Sequence, residues 1–188
     1  MPLNLPNLVT WLRIILIPLI VGIFYLPDAW LSGSGKNVSA TAIFVVAALS
    51  DWLDGYLARA LDQASAFGAF LDPVADKLIV VAALVILLQL DRVEPVVALI
   101  IIGREITISA LREWMAKLGK SGSVAVAYVG KVKTVSQMVA IPLLLFHDDV
   151  LGAVNAQWLG TVLINVAAVL TVISMLHYLR RALPHARG

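Results

Sequence analysis

Four aspartates, Asp51, Asp54, Asp72 and Asp76, stand at fixed spacing in an otherwise very hydrophobic chain. Two glycines, an alanine and an arginine are interleaved with them, so the segment reads Asp51-x2-Asp54-Gly55-x2-Ala58-Arg59-x8-Gly68-x3-Asp72-x3-Asp76. Ionised carboxylates at the edge of a bilayer are costly and are seldom present without a partner. Four of them close in sequence need cations, and two divalent metals would neutralise them. All-oxygen ligands suit Mg²⁺ or Mn²⁺ over zinc. Two such ions bridged by carboxylates neutralise charge and align an attacking oxygen.

Two helices are needed to bring the carboxylates together. At about 100° per residue, Asp51, Asp54, Gly55, Ala58 and Arg59 fall at about 0, 300, 40, 340 and 80°, on one side of a helix. Gly68, Asp72 and Asp76 follow an i, i+4, i+8 line on a second helix. A turn between them, near Asp62 to Ser65, lets the two pack antiparallel with the carboxylates facing. A plainer account would be helix caps plus a surface salt-bridge pair, but the flanks on both sides are membrane-grade apolar.

The 188 residues are 61% hydrophobic and 14% charged, with mean hydropathy +0.93. A soluble domain sits nearer half apolar, so the composition implies an integral membrane protein, all-α and polytopic, with one domain over residues 1–188. The absence of cysteine excludes disulfides, thiolate catalysis and cysteine-ligated metals. The opening MPLNLPNLVTWLR lacks a basic region and a small-x-small cleavage site, so the first apolar segment reads as retained. Six stretches, near 8–27, 38–60, 68–90, 93–116, 124–146 and 154–179, are long enough for a core that needs roughly 20 helical residues each. Pro18 should kink the first. Of the 14 lysines and arginines, only Lys36 and Arg92 fall on one side of this bundle. The positive-inside rule therefore puts both termini, and the aspartates, in the cytoplasm. Trp11, Trp30, Trp114 and Trp158 lie near span ends, as an aromatic belt places them. Trp52, beside Asp51, reads as packing at the site.

The aspartate segment resembles the signature of the CDP-alcohol phosphotransferases and matches it at all eight specified positions. The resemblance implies displacement at the diphosphate of a CDP-linked lipid, with release of CMP. It implies Asp51, Asp54 and Asp72 as core metal ligands, and Asp76 as a further ligand and the base that takes the proton from the alcohol. Gly55 and Ala58 have small side chains that let a bulky nucleotide diphosphate approach the backbone; close helix–helix packing is their other use. Arg59 is placed to pair a phosphate oxygen or balance an aspartate. Gly68 opens the third helix near the nucleotide. By the same resemblance Ser65 contacts the CDP-lipid, although a helix N-cap would also account for a serine there.

A second basic set lies in IIGREITISALREWMAKLGK and GKVKTVSQM. Arg104 lies well inside an apolar run, so it needs an anionic partner or a water-filled cavity. Arg112, about 80° around the same helix, can share that cavity. Lys131 and Lys133 are about 200° apart, so one of them faces inward. Convergence of Arg104, Arg112 and one lysine would make a pocket for a phosphate monoester. Glu105 could instead neutralise Arg104 as a structural pair. These two segments and the opening NLPNLVTWLRIILIP are similar to the branch of the family whose acceptor is glycerol 3-phosphate and whose product is phosphatidylglycerophosphate. Asn7 and Thr10 match polar positions there that line the nucleotide end of the cleft, or else cap a helix. Arg13 reads equally as a cleft residue or an interfacial anchor. The resemblance further implies a homodimer in the bacterial inner membrane, acting on CDP-diacylglycerol with no nucleic-acid partner. Alternatives are the same chemistry on phosphatidylglycerol, inositol phosphate or serine, a divalent-cation transporter, or a non-catalytic lipid-binding subunit. His147, His177 and His185 lie outside both clusters and take no role; Asp148 and Asp149 read as a solvated loop.

Overall fold

Six long helices follow one another in the order the hydropathy pattern requires. The computed structural model describes the backbone of residues 5–61, 66–117, 128–150 and 154–182, and the side chains of 9–50, 70–117, 130–149 and 155–180. The helices are α1 (Leu5–Gly22), extended by a single 3-10 turn at Ile23–Tyr25, α2 (Gly33–Leu61), α3 (Ala66–Gln89), α4 (Pro95–Lys117), α5 (Tyr128–Phe146) and α6 (Ala156–Ala182). Pro18 does lie within α1, and Pro73 and Pro142 within α3 and α5.

Local chemistry sets the ends. Helix α2 starts five residues ahead of its expected position because Ser32 acts as its N-cap, its hydroxyl accepting the Gly35 N–H at 3.2 Å. Asn155 does the same for α6, accepting the Trp158 N–H at 2.7 Å. Pro95 occupies the first position of α4, where its missing N–H costs nothing. Helix α3 ends in a Schellman motif: Arg92 N–H reaches Leu87 O at 2.9 Å, Asp91 N–H reaches Leu88 O at 3.1 Å, and Asp91 takes φ 55°. Helix α5 ends at His147 (φ 66°), whose N–H donates to Leu143 O at 3.0 Å.

Helix α1 packs on α2 and α3, α5 on α6, α2 and α3, and α4 on α6 and α3. The shared core holds Ile20, Phe44, Leu84, Leu87, Ile141 and Leu144. Gly160 permits the close approach of α6 to α5: a Cβ there would stand 2.8 Å from Leu144 Cγ. Outside this core, large apolar side chains are exposed on every helix, among them Ile15, Leu49, Val85, Leu99, Val135 and Val169. Trp11, Trp30, Trp114 and Trp158 are also exposed.

One detail departs from the sequence reading. The segment read as a loop at Asp148 and Asp149 contains a short antiparallel ribbon, β1 (Asp149–Val150) with β2 (Val154–Asn155). Among the described residues one helix segment, Ala156–Arg180, is both long and apolar enough to span a bilayer by itself, with mean hydropathy 2.2. Helices α3 and α4 carry charged side chains within their apolar runs, among them Asp72, Asp76, Arg104 and Glu105.

Candidate active site

Asp72 and Asp76 lie one turn apart on α3, and α1 supplies a partner to each. Thr10 donates to Asp72 Oδ1 at 2.5 Å. Arg13 donates from Nη1 to Asp76 Oδ1, an ion pair in which the arginine is wholly buried. A buried cation without an anion would cost several kcal/mol, so Arg13 belongs to the aspartate cluster and is no interfacial anchor. Asp51, Asp54, Gly55, Ala58 and Arg59 lie in the last three turns of α2, and Gly68 in the first turn of α3. Their side chains, with that of Asn7 in α1, lie outside the described residues, as does Ser65 entirely. The part of the cluster that is described fits a hard divalent cation, since its donors are carboxylate oxygens on one helix face.

A cavity of about 370 Å³ opens beside Asp76. Its walls come from three helices: Pro73, Asp76, Lys77 and Val80 of α3, Arg104, Glu105 and Arg112 of α4, and Gly130, Lys133, Thr134, Gln137 and Met138 of α5. The α5 set recurs at i, i+3, i+4, i+7 and i+8, one face of a helix. Among the described residues the backbones of α4 and α5 do not approach each other closely, and side chains reach across the gap. The cavity is the space left between them against α3.

Glu105 is the hub of the wall. Its Oε1 accepts from Arg104 Nη1 at 2.7 Å and from Lys133 Nζ at 2.6 Å. Arg104 and Lys133 are buried, with side chains 9% and 2% exposed. Both readings of Arg104 therefore hold at once: it pairs Glu105 and it lines a polar cavity. Arg112 reaches the same cavity and lies 5.9 Å from the ring centroid of Tyr178, a buried α6 residue. Of the two lysines, Lys133 faces in, and Lys131 is exposed and off the wall, so the pocket takes Lys133 and not Lys131. Counting Lys77, Arg104, Arg112 and Lys133 against Asp76 and Glu105, the wall carries a net charge near +2. That matches a phosphate monoester dianion.

Three wall and cluster residues are weakly marked in the sequence. Arg13 is two turns into an apolar run, and only its depth argues for a partner. Glu105 is adjacent to Arg104, so helical spacing does not announce a shared face. Gln137 stands four residues after Lys133, inside a segment already noted for its lysines.

A membrane-type helical bundle with this signature and a basic cavity beside it defines a class. The family model for CDP-alcohol phosphatidyltransferase matches residues 3–173, and the chain belongs to that family. Proteins of Escherichia coli, Salmonella typhi and Shigella flexneri, each named CDP-diacylglycerol–glycerol-3-phosphate 3-phosphatidyltransferase, are 50% identical to it over 184 residues. The alignments cover 97% of this chain and 96% of each relative.

Proposed function

We propose that this chain transfers the phosphatidyl group of CDP-diacylglycerol to the 1-hydroxyl of sn-glycerol 3-phosphate, giving phosphatidylglycerophosphate and CMP. One observation carries the reading: Asp76, the last aspartate of the signature, shares a cavity with Arg104, Arg112 and Lys133. The half-identical relatives named for this reaction support it over nearly the full chain.

Arg104, Arg112 and Lys133 hold the acceptor's phosphate and so turn its primary hydroxyl toward Asp76. Asp76 takes the hydroxyl proton. The oxygen forms its bond to the β-phosphorus as the bond to the CMP phosphate breaks, and CMP departs. Asp51, Asp54, Asp72 and Asp76 would hold two divalent cations, Mg²⁺ or Mn²⁺, which when bound neutralise the charge of the diphosphate. Gly55, Ala58 and Gly68 leave room for the nucleotide. By the family resemblance Arg59, Ser65, Asn7 and Thr10 serve the CDP-lipid, and Thr10 also fixes Asp72. Arg13 balances the charge of Asp76.

The enzyme is read as one domain with six spans in the bacterial inner membrane, both termini and the site facing the cytoplasm. Apolar side chains on the outer faces of all six helices favour this. So does the separation of charge: Arg92 bonds to Asn37, next to Lys36, far from the cations around Asp76. The homodimer rests on the family resemblance.

The test is CMP release by purified protein in detergent, with CDP-diacylglycerol, Mg²⁺ and a panel of acceptor alcohols. Release with glycerol 3-phosphate alone, stopped by EDTA and restored by Mg²⁺ or Mn²⁺, is the expected result. Release with a different alcohol would move the chain to another branch of the family. No release from folded, metal-loaded protein would overturn the proposal.

A further inference from the structure

Gln137 is 5% exposed, lies on α5, and contributes to the cavity wall. It follows Lys133 by four residues, about 40° around the helix, so its carboxamide stands one turn along the same wall as the ammonium group. Its Oε1 is buried and meets no hydrogen-bond donor among the described residues. Native proteins seldom leave a buried amide oxygen unmet, and such an oxygen on a cavity wall points to a donor that arrives with the ligand.

Two other acceptor atoms on the wall, Glu105 Oε1 and Asp76 Oδ1, are already engaged. Glu105 Oε1 takes bonds from Arg104 and Lys133. Asp76 accepts from Arg13. The Thr134 hydroxyl is turned to Gly130 O at 2.9 Å. A phosphate dianion offers only acceptors, which the cations satisfy, so the donor must come from the alcohol part of the acceptor. Glycerol 3-phosphate carries two hydroxyls, and the primary one gives its proton to Asp76 in the proposed reaction. The secondary hydroxyl is left as an O–H donor. A neutral amide oxygen is the acceptor suited to it, because a second carboxylate there would repel the phosphate.

Building on the proposed reaction, we infer that Gln137 accepts a hydrogen bond from the secondary hydroxyl of the acceptor and makes the enzyme select a glycerol phosphate over simpler hydroxyalkyl phosphates. A site built around a substrate hydroxyl rejects the analogue that lacks it, since the protein's own polar group is then stranded.

The experiment compares glycerol 3-phosphate with 3-hydroxypropyl phosphate, which keeps the phosphate and the primary alcohol and lacks the secondary hydroxyl. For the wild type, kcat/KM should favour glycerol 3-phosphate by about 10- to 100-fold, the range that one stranded buried group supplies. In Gln137→Met and Gln137→Leu the ratio should fall to within about threefold, with the KM for CDP-diacylglycerol unchanged as a check on the fold. Gln137→Glu keeps an acceptor oxygen and should keep the preference, although its charge raises the KM for both acceptors. Equal use of the two acceptors by the wild type would overturn the role of Gln137, as would a wild-type ratio in the Met and Leu variants. Absence of CMP release from the wild type with either acceptor would instead overturn the proposed reaction, and this role with it.

Discussion

Replacing Arg104 by glutamine separates acceptor binding from a structural role. Arg104 Nη1 lies 2.7 Å from Glu105 Oε1, and the same oxygen takes Lys133 at 2.6 Å. Glutamine retains the helix propensity and much of the length but removes the charge. Glu105 keeps Lys133 in the variant, so its carboxylate is not stranded. The free protein loses one charge-assisted hydrogen bond, about 1.5–3 kcal/mol at most, less a discount for the part of Glu105 open to solvent. With acceptor bound, the same guanidinium meets the phosphate, and losing that contact should raise the KM for glycerol 3-phosphate by about 10- to 150-fold. The CDP-lipid is expected against the α2–α3 aspartates, so its KM should change by less than about threefold, small beside the energy of one such hydrogen bond. Initial rates of CMP release with each substrate varied in turn give both constants, and thermal melts report the fold. Equal rises in the two KM values would refute the reasoning and leave Arg104 as a support of the fold or of the shared diphosphate. Lys133→Met should behave alike, because Glu105 then keeps Arg104. Removing both cations strands Glu105, and the double variant should lose more stability than the sum of the two.

Asp76→Asn should lower CMP release by about 100-fold or more, the range for a lost general base, while calorimetric metal binding weakens without vanishing; wild-type rates would remove Asp76 as the base. Arg92→Met should lower the melting temperature and spare both KM values, since the guanidinium donates to Leu144 O at 3.1 Å, Leu145 O at 2.8 Å and Asn37 Oδ1 at 3.0 Å. The loss should be about 1–3 kcal/mol for these partly exposed bonds, and an unchanged melting temperature would refute the tie. Burial, and then the Arg92 guanidinium, hold the His147 imidazole below its ordinary range, with Asp148 opposing. The unfolded chain therefore takes up this proton first as pH falls through about 6.5, so the contribution of His147 is intact above that pH and declines below it. His147→Gln should flatten the melting temperature between about pH 7.5 and pH 5.5, and a slope equal to that of the wild type would exclude His147 as its source.

Helix number and order were legible because long apolar runs with short polar connections admit few other readings. The start of α2 was not, because a serine becomes a cap only when the following backbone turns onto it, as at Ser32. The aspartate spacing called for two helices, and Asp72 and Asp76 do lie one turn apart on α3. The basic cavity was half legible. Arg104 was marked by its depth and Arg112 by its phase, but periodicity could say only that Lys131 and Lys133 point apart. Packing against α3 and α4 decided for Lys133. The Arg104–Glu105 pair was legible, but the bond of Glu105 to Lys133, the pairing of Arg13 with Asp76 and the place of Gln137 were not, because each depends on a partner or a void contributed by another helix.

The distribution of fixed charge explains how a bundle with so few polar residues can keep an open polar space. At the end away from Asp76 the polar groups serve as ties. Lys36 pairs Asp28 at 2.7 Å, Ser34 reaches Asp148 at 3.2 Å, and Arg92 joins the end of α5 to α2. These bonds link the connections between helices, where a lost tie costs stability and leaves the chemistry alone. At the Asp76 end the buried cations tie helices too: Arg13 joins α1 to α3, and Lys133, which also lines the cavity, joins α5 to α4. Glu105 Oε1 gathers Arg104 and Lys133 at one point of the cavity wall. A cavity wall whose cations share one carboxylate is charged enough to capture a phosphate and neutral enough to stay folded without it.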